Sequence, residues 1–262
     1  GVYDASEDPF NDQNLSATYP GIEQIQIQAN DDITIKGWYL PSQQKKETII
    51  FAHGNGGHMG DRFYMFEAFA NAGYGILFFD YHGYGGNPGT PHEKNLFSDF
   101  IAASHFLETE KNISVSQQIA VGESLGGAVA IYAASQIPFR AVMVFATFTK
   151  ALAVYRYMNT QQGMGFINLL PIDLINTQKF ASTNHIQHTK SPLLIFHGTD
   201  DHMMPISMAE TLLEKSPAQH KKLTIIDGAG HNDIFCTGQE TIMSQLEHML
   251  TASDTTKKLT KK

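Results

Sequence analysis

Ile119-Ala120-Val121-Gly122-Glu123-Ser124-Leu125-Gly126-Gly127-Ala128-Val129-Ala130-Ile131 is the stretch that decides the fold. Its first three residues form a short apolar run suited to a buried strand. Its last five suit a helix. Between them Gly122-Glu123-Ser124-Leu125-Gly126 fits G-x-S-x-G. A strand that turns into a helix within so few residues leaves no room for Cβ atoms beside the central residue, which is why glycine flanks it. A serine in such a turn is strained, with its hydroxyl exposed and a helix N-terminus beneath it. The bland alternative is a Gly-Ser turn that merely opens a helix.

Outward from this point, short apolar runs alternate with helical stretches. The runs are 48–52, 75–79, 119–121, 141–145, 193–196 and 223–226. Continuous Ile, Val and Phe without alternation suit strands buried on both faces of a parallel sheet. Helical stretches lie between them at 61–71, 93–111, 125–136, 205–216 and 241–250. In the second, Leu96, Phe100, Ala103 and Leu107 recur at three or four residues and form one apolar face. The pattern predicts βαβ units and a doubly wound sheet. Upstream, Ile22, Ile25 and Ile27, then Ile33, Ile35 and Trp38, flank Asn30-Asp31-Asp32 and read as an antiparallel hairpin. The expected division is a loose arm over 1–20, one α/β domain over 21–252 and a disordered tail over 253–262. The interval from Thr147 to Lys190 is too long for a simple crossover. It reads as a short helical, cap-like insertion roofing a pocket, or as ordinary helices packed on the sheet.

Composition narrows the classes. The chain has 262 residues, 42% apolar and 11% aromatic, enough for a large core. With 18 Lys+Arg against 26 Asp+Glu the net charge is −8, which repels phosphate backbones, so no nucleic-acid partner is expected. The single cysteine, Cys236, excludes a disulfide-built fold. No apolar run approaches the ~18 residues that would span a membrane. A chain that starts at Gly1 is expected to have lost its natural beginning, so membrane contact through a missing N-terminal anchor is one expectation, at a membrane or envelope. Without such an anchor the expectation is a cytoplasmic protein. The oligomeric state is left open.

A serine hydroxyl is a weak nucleophile and needs a base. His231 follows the last expected strand through the flexible Asp227-Gly228-Ala229-Gly230, a loop able to carry an imidazole over the sheet edge. The imidazole in turn needs a carboxylate to fix its tautomer. Asp200 and Asp201 stand at the carboxyl end of the strand Leu193–Phe196, and spacing does not separate them. A developing oxyanion needs donors. The amide of Leu125, directly after the serine, is one. The amide of Asn55, in the glycine-rich loop His53–Gly57 after the strand 48–52, is the second. The twelve histidines include no H-E-x-x-H pair, so neither a metal nor another cofactor is expected.

With these residues in place, the sequence from about Ile22 to Leu250 resembles the α/β-hydrolase superfamily, and within it the small abhydrolase-domain serine hydrolases. The matching pieces are Gly37-Trp38-Tyr39-Leu40-Pro41, His53–Gly57, Asp80-Tyr81-His82-Gly83-Tyr84-Gly85, Gly122–Gly127, His197–Pro205 and Gly230-His231-Asn232-Asp233. The order Ser, Asp, His is that of this fold. The resemblance places the acid at Asp201. It implies an α/β-hydrolase fold in which an antiparallel N-terminal hairpin precedes a mostly parallel sheet. It also implies an esterase, thioesterase or lysophospholipase-like activity on a small-molecule or lipid-like acyl substrate. Phe148, Tyr155, Met158, Met203 and Met204 are the residues expected to line an apolar acyl pocket, methionine being adaptable to irregular apolar shapes. A peptidase or amidase, and a non-catalytic binding protein on the same frame, are the alternatives. Two positions depart from the family: His82 stands where relatives carry Arg, and Asn87 where Ser is common.

Overall fold

The computed structural model describes residues 18–29, 33–164 and 178–259. Eight strands form one sheet: β1 (Glu23–Gln28), β2 (Thr34–Leu40), β3 (Thr48–Ala52), β4 (Gly75–Phe79), β5 (Gln118–Glu123), β6 (Ala141–Phe145), β7 (Leu193–Gly198) and β8 (Lys221–Ile226). Their spatial order is β1-β2-β4-β3-β5-β6-β7-β8. β1 pairs antiparallel with β2, as the hairpin reading predicts, and β2 pairs antiparallel with β4. All later pairings are parallel.

The parallel strands are apolar throughout because both faces are covered. Alternate side chains point to opposite faces of a strand. In β4, Leu77 and Phe79 join one buried cluster while Ile76 and Phe78 join another. In β6, Val142 and Val144 go one way and Met143 and Phe145 the other. The first face is covered by α2 (Glu93–Thr109), α3 (Leu125–Gln136) and α6 (Ile206–Lys215). The apolar stripe Leu96, Phe100, Ala103, Leu107 of α2 is fully buried there. The second face is covered by α1 (Phe63–Asn71) and α7 (Ile234–Leu259) through Phe66, Phe69, Phe235, Ile242 and Leu246. Burying one such side chain contributes about 1.5–3 kcal/mol. Parallel strands all end at the same sheet edge, so the loops after β3, β5, β7 and β8 emerge together.

Three boundaries differ from the sequence expectation. The arm over 1–20 is not loose at its end. Tyr19 is buried edge-on against Phe63 and Phe66, with ring centroids 6.2 and 5.3 Å away. Residues 1–17 lie outside the described residues. The last helix starts at Ile234 rather than near 241, because Ile234 and Phe235 pack under the sheet while Cys-Thr-Gly-Gln interrupts the apolar period. It also continues to Leu259, well into the segment expected to be a disordered tail. Ser253 is buried and accepts a bond from Arg140 Nη1 at 2.6 Å, and Asp254 pairs with Arg140 Nη2 at 2.8 Å. Of the 147–190 interval, α4 (Ala151–Gln161) and α5 (Ser182–Ile186) are described. Leu152 and Ile186 are buried, so this part packs on the body of the protein. Residues 165–177 of the expected insertion lie outside the described residues.

Candidate active site

Ser124 sits between β5 and α3 with φ 53° and ψ −114°. Such a left-handed backbone is strained for any residue with a Cβ and is kept only where its surroundings enforce it. They do so here. A Cβ on Gly122 would lie 2.1 Å from the Gly126 carbonyl oxygen, and one on Gly126 would lie 2.0 Å from that of Ala52. The turn is also tied down by Ser124 N–H donating to Phe145 O at 2.9 Å and by Thr147 Oγ1 donating to Ser124 O at 2.8 Å.

The structure brings Ser124, His231 and Asp201 together. His231 Nε2 lies 3.1 Å from Ser124 Oγ, and His231 Nδ1 lies 2.8 Å from Asp201 Oδ2. An ionised carboxylate only accepts, so Nδ1 carries the hydrogen, and the neutral ring presents a bare Nε2 to the serine hydroxyl. Asp201 Oδ1 accepts the amides of Met203 and Met204, each at 2.9 Å. Burial pushes the Asp201 carboxyl up. The hydrogen bond and electrostatic pull of His231, with the Met204 amide and His197, together outweigh it, and the carboxyl is held below the usual carboxylate range. Asp200, its neighbour, is exposed and accepts from Thr199 Oγ1 at 3.1 Å.

The acid and base loops are joined to each other. Asp200 N–H donates to Ala229 O at 2.9 Å, Thr199 N–H to Ile226 O at 3.1 Å, and Gly228 N–H to Thr199 Oγ1 at 2.8 Å. Asp233 Oδ1 accepts Gly230 N–H at 2.7 Å and pins the end of the base loop. Cys236, exposed and free, lies in the first turn of α7 beyond this loop.

Leu125 opens α3, and its amide is among the four that have no intrahelical acceptor. Asn55 lies in the loop after β3, and its Oδ1 accepts from Tyr84 OH at 2.8 Å. Tyr81 OH donates to His53 O at 3.0 Å, and Asp80 Oδ1 accepts Met59 N–H at 2.7 Å. The segment 80–84 therefore braces the loop 53–59. Arg62 forks onto Glu123 with two bonds of 2.9 Å, tying the start of α1 to the residue before the serine. These long-range pairs leave no local signal in the sequence. The two family departures fit their surroundings. His82 is buried against Asp99, with Nδ1 2.6 Å from Oδ1 and its amide 2.9 Å from Oδ2. Asn87 Nδ2 donates to Asp80 O at 2.7 Å, while its Oδ1 accepts Lys36 N–H at 3.1 Å.

Burial divides the five residues expected to line an acyl pocket. Phe148 and Met204 are buried in the core cluster of the first face, Met158 is half-buried, and Tyr155 and Met203 are exposed. Among the described residues, no group of three or more His, Cys, Asp or Glu side chains is arranged to hold a metal ion. No helix among them is long and apolar enough to cross a membrane.

Comparison with known proteins bears on the fold and the family. The family described as serine aminopeptidase, S33, matches residues 43–164 and 165–235. The uncharacterized protein Rv2307c of Mycobacterium tuberculosis is 29% identical over 240 residues, covering 91% of this chain and 82% of that one. Alpha/beta hydrolase domain-containing protein 17C of Xenopus tropicalis is 30% identical over 194 residues, covering 74% of this chain and 58% of its own length. Among solved structures, the esterase Pf2001 of Pyrococcus furiosus superposes with a TM-score of 0.73 at 19% identity, covering 88% of this chain and 90% of that one. The sheet order and the structural neighbour show the α/β-hydrolase fold, and by the family match the chain belongs to the serine aminopeptidase, S33, family of hydrolases.

Proposed function

We propose that the protein is a serine hydrolase that cleaves carboxylic esters or thioesters of apolar acyl groups. One observation carries the proposal: the continuous bonding from Ser124 Oγ through His231 to Asp201, at 3.1 and 2.8 Å. Ser124 Oγ attacks the acyl carbonyl as His231 Nε2 takes its proton. The oxyanion of the tetrahedral intermediate rests on the amides of Asn55 and Leu125. Its collapse breaks the acyl–oxygen or acyl–sulfur bond, and His231 returns the proton to the leaving alcohol or thiol. Water, deprotonated by the same ring, then releases the acid and restores Ser124. Asp201 holds His231 in the productive tautomer throughout. The half-buried and exposed apolar residues near the acid loop and α4, Met158, Tyr155 and Met203, support an acyl chain over a charged group.

A panel of p-nitrophenyl esters from acetyl to palmitoyl tests the proposal. Wild-type protein should turn over at least one member and label with a fluorophosphonate at Ser124. Ser124→Ala should lose about 10³-fold or more in turnover. Labelling that survives Ser124→Ala would sink the reading. The family description favours a second reading, a peptidase or amidase. Faster cleavage of amino-acid anilides than of the matching esters would establish it.

A further inference from the structure

We infer that His197 is a fourth, positioning member of this site, holding the Asp201 carboxylate in the orientation that His231 requires. The inference rests on the roles just proposed for Ser124, His231 and Asp201. His197 stands near the end of β7, after the apolar run Leu193-Leu194-Ile195-Phe196, and is fully buried. Its Nε2 lies 2.9 Å from the Met204 carbonyl oxygen and 3.6 Å from Asp201 Oδ2. A carbonyl only accepts, so Nε2 carries the hydrogen. Nδ1 of the neutral ring is then bare, and among the described residues no hydrogen-bond partner reaches it.

A buried imidazole with an unpartnered nitrogen is a costly way to fill core space. A leucine would continue the apolar run of β7 without that cost. What leucine lacks is a donor. The turn from Asp201 to Met204 is fixed from both sides. Asp201 Oδ1 takes the Met203 and Met204 amides, and the Met204 carbonyl takes His197. While its hydrogen goes to Met204 O, the same Nε2–H group stands 3.6 Å from Oδ2, the oxygen that His231 uses, and its positive end favours the ionised carboxylate through space. The pull of His197 on Asp201 adds to that of His231 described above. Among the described residues, the polar contacts of His197 run to Met204 and Asp201 and not to Ser124, so it acts through Asp201.

Three substitutions separate the donor from the ring. His197→Leu removes the donor. His197→Asn stays polar but is too short to reach Met204 O and Asp201 Oδ2. His197→Gln reaches about as far as Nε2 and keeps an N–H. Ester turnover, thermal melting and the low-field proton resonance of the His231 Nδ1–H bond are measured for each. The expected result for Leu and Asn is a fall in kcat of about 10- to 100-fold, the scale of a small misplacement of a catalytic group. KM should stay within about twofold, and the low-field resonance should broaden or vanish. Gln should recover most of both. If His197→Leu does not fold, the contrast of Asn with Gln carries the test. Wild-type kcat in Leu or Asn overturns the inference, as does equal impairment of Gln and Asn, which would mean that only the ring's packing matters. In an Asp201→Asn background the His197 substitutions should cost nothing further, and additive losses overturn the inference. Full activity in Ser124→Ala would instead refute the underlying reading of the site. An inactive Ser124→Ala beside unaffected His197 variants would refute this inference alone.

Discussion

Two adjacent aspartates meet opposite fates. Asp201 is buried, accepts two amides and pairs with His231; Asp200 is exposed on the same turn. Asp201→Asn should fold and still lower kcat by about 10⁴-fold, because an amide in place of the carboxylate favours the wrong tautomer of the base. Asp200→Asn should stay within about twofold of wild type. Turnover of one p-nitrophenyl ester by the two variants checks both. Asp201 also has a pH signature. Its native pKa lies below the ordinary 3.8, so the unfolded chain binds its proton first as the pH falls. The stability this group contributes is therefore complete above about pH 4 and is lost as the pH falls through its lower native value. Urea unfolding across the acid range should show that slope in wild type and a shallower one in Asp201→Asn. At this scale Ser124 and His231 are legible from glycine spacing and loop position. Choosing Asp201 over Asp200 needed family resemblance, because burial separates them and spacing carries no burial information.

Elements were legible where burial is continuous. β3, β4 and β6 begin and end where their apolar runs do, since both sheet faces demand apolar residues without a break. The ends of α7 were not legible. Its first turn mixes Phe235 with Cys236, Thr237 and Gly238, and its last turns are polar. Those polar turns are held from outside the helix by Arg140. The Arg140 guanidinium is buried and bonds Ser253 Oγ, the Leu250 carbonyl, Asp254 and the buried Glu47. No pattern within residues 240–259 announces a partner more than a hundred positions earlier. Arg140→Met should destabilise the protein by about 3–5 kcal/mol, because Glu47 is left as a buried charge without its guanidinium. Amide exchange should accelerate from Leu250 onward. Unchanged exchange there would mean that the helix end is held by its own propensity.

At the scale of the molecule, each strand of the parallel sheet contributes side chains to two buried clusters, one on each face. Such an arrangement should unfold as one unit. The sole tryptophan, Trp38, reports from β2 near one edge of the sheet, whereas the candidate site draws on β5, β7 and β8 toward the other. Denaturant midpoints from Trp38 fluorescence and from ester turnover should coincide. Turnover lost well before the fluorescence change would show that the loop edge opens by itself.

The distances along the chain set a timetable for synthesis. Ser124 and His231 are 107 positions apart, and Asp201 precedes His231 by 30. At a ribosome's pace of about 5–20 residues per second, the serine is made roughly 5–20 seconds before its base. The turn that strains Ser124 needs β3, β5, β6 and α3 to pack, whereas the imidazole needs the β7–β8 pairing and the loop beyond it. A nascent chain can therefore display a folded serine turn while remaining inert. On the proposed reading, a chain that terminates anywhere before His231 carries the serine turn without its base, and no such fragment should reach the turnover of the folded hydrolase.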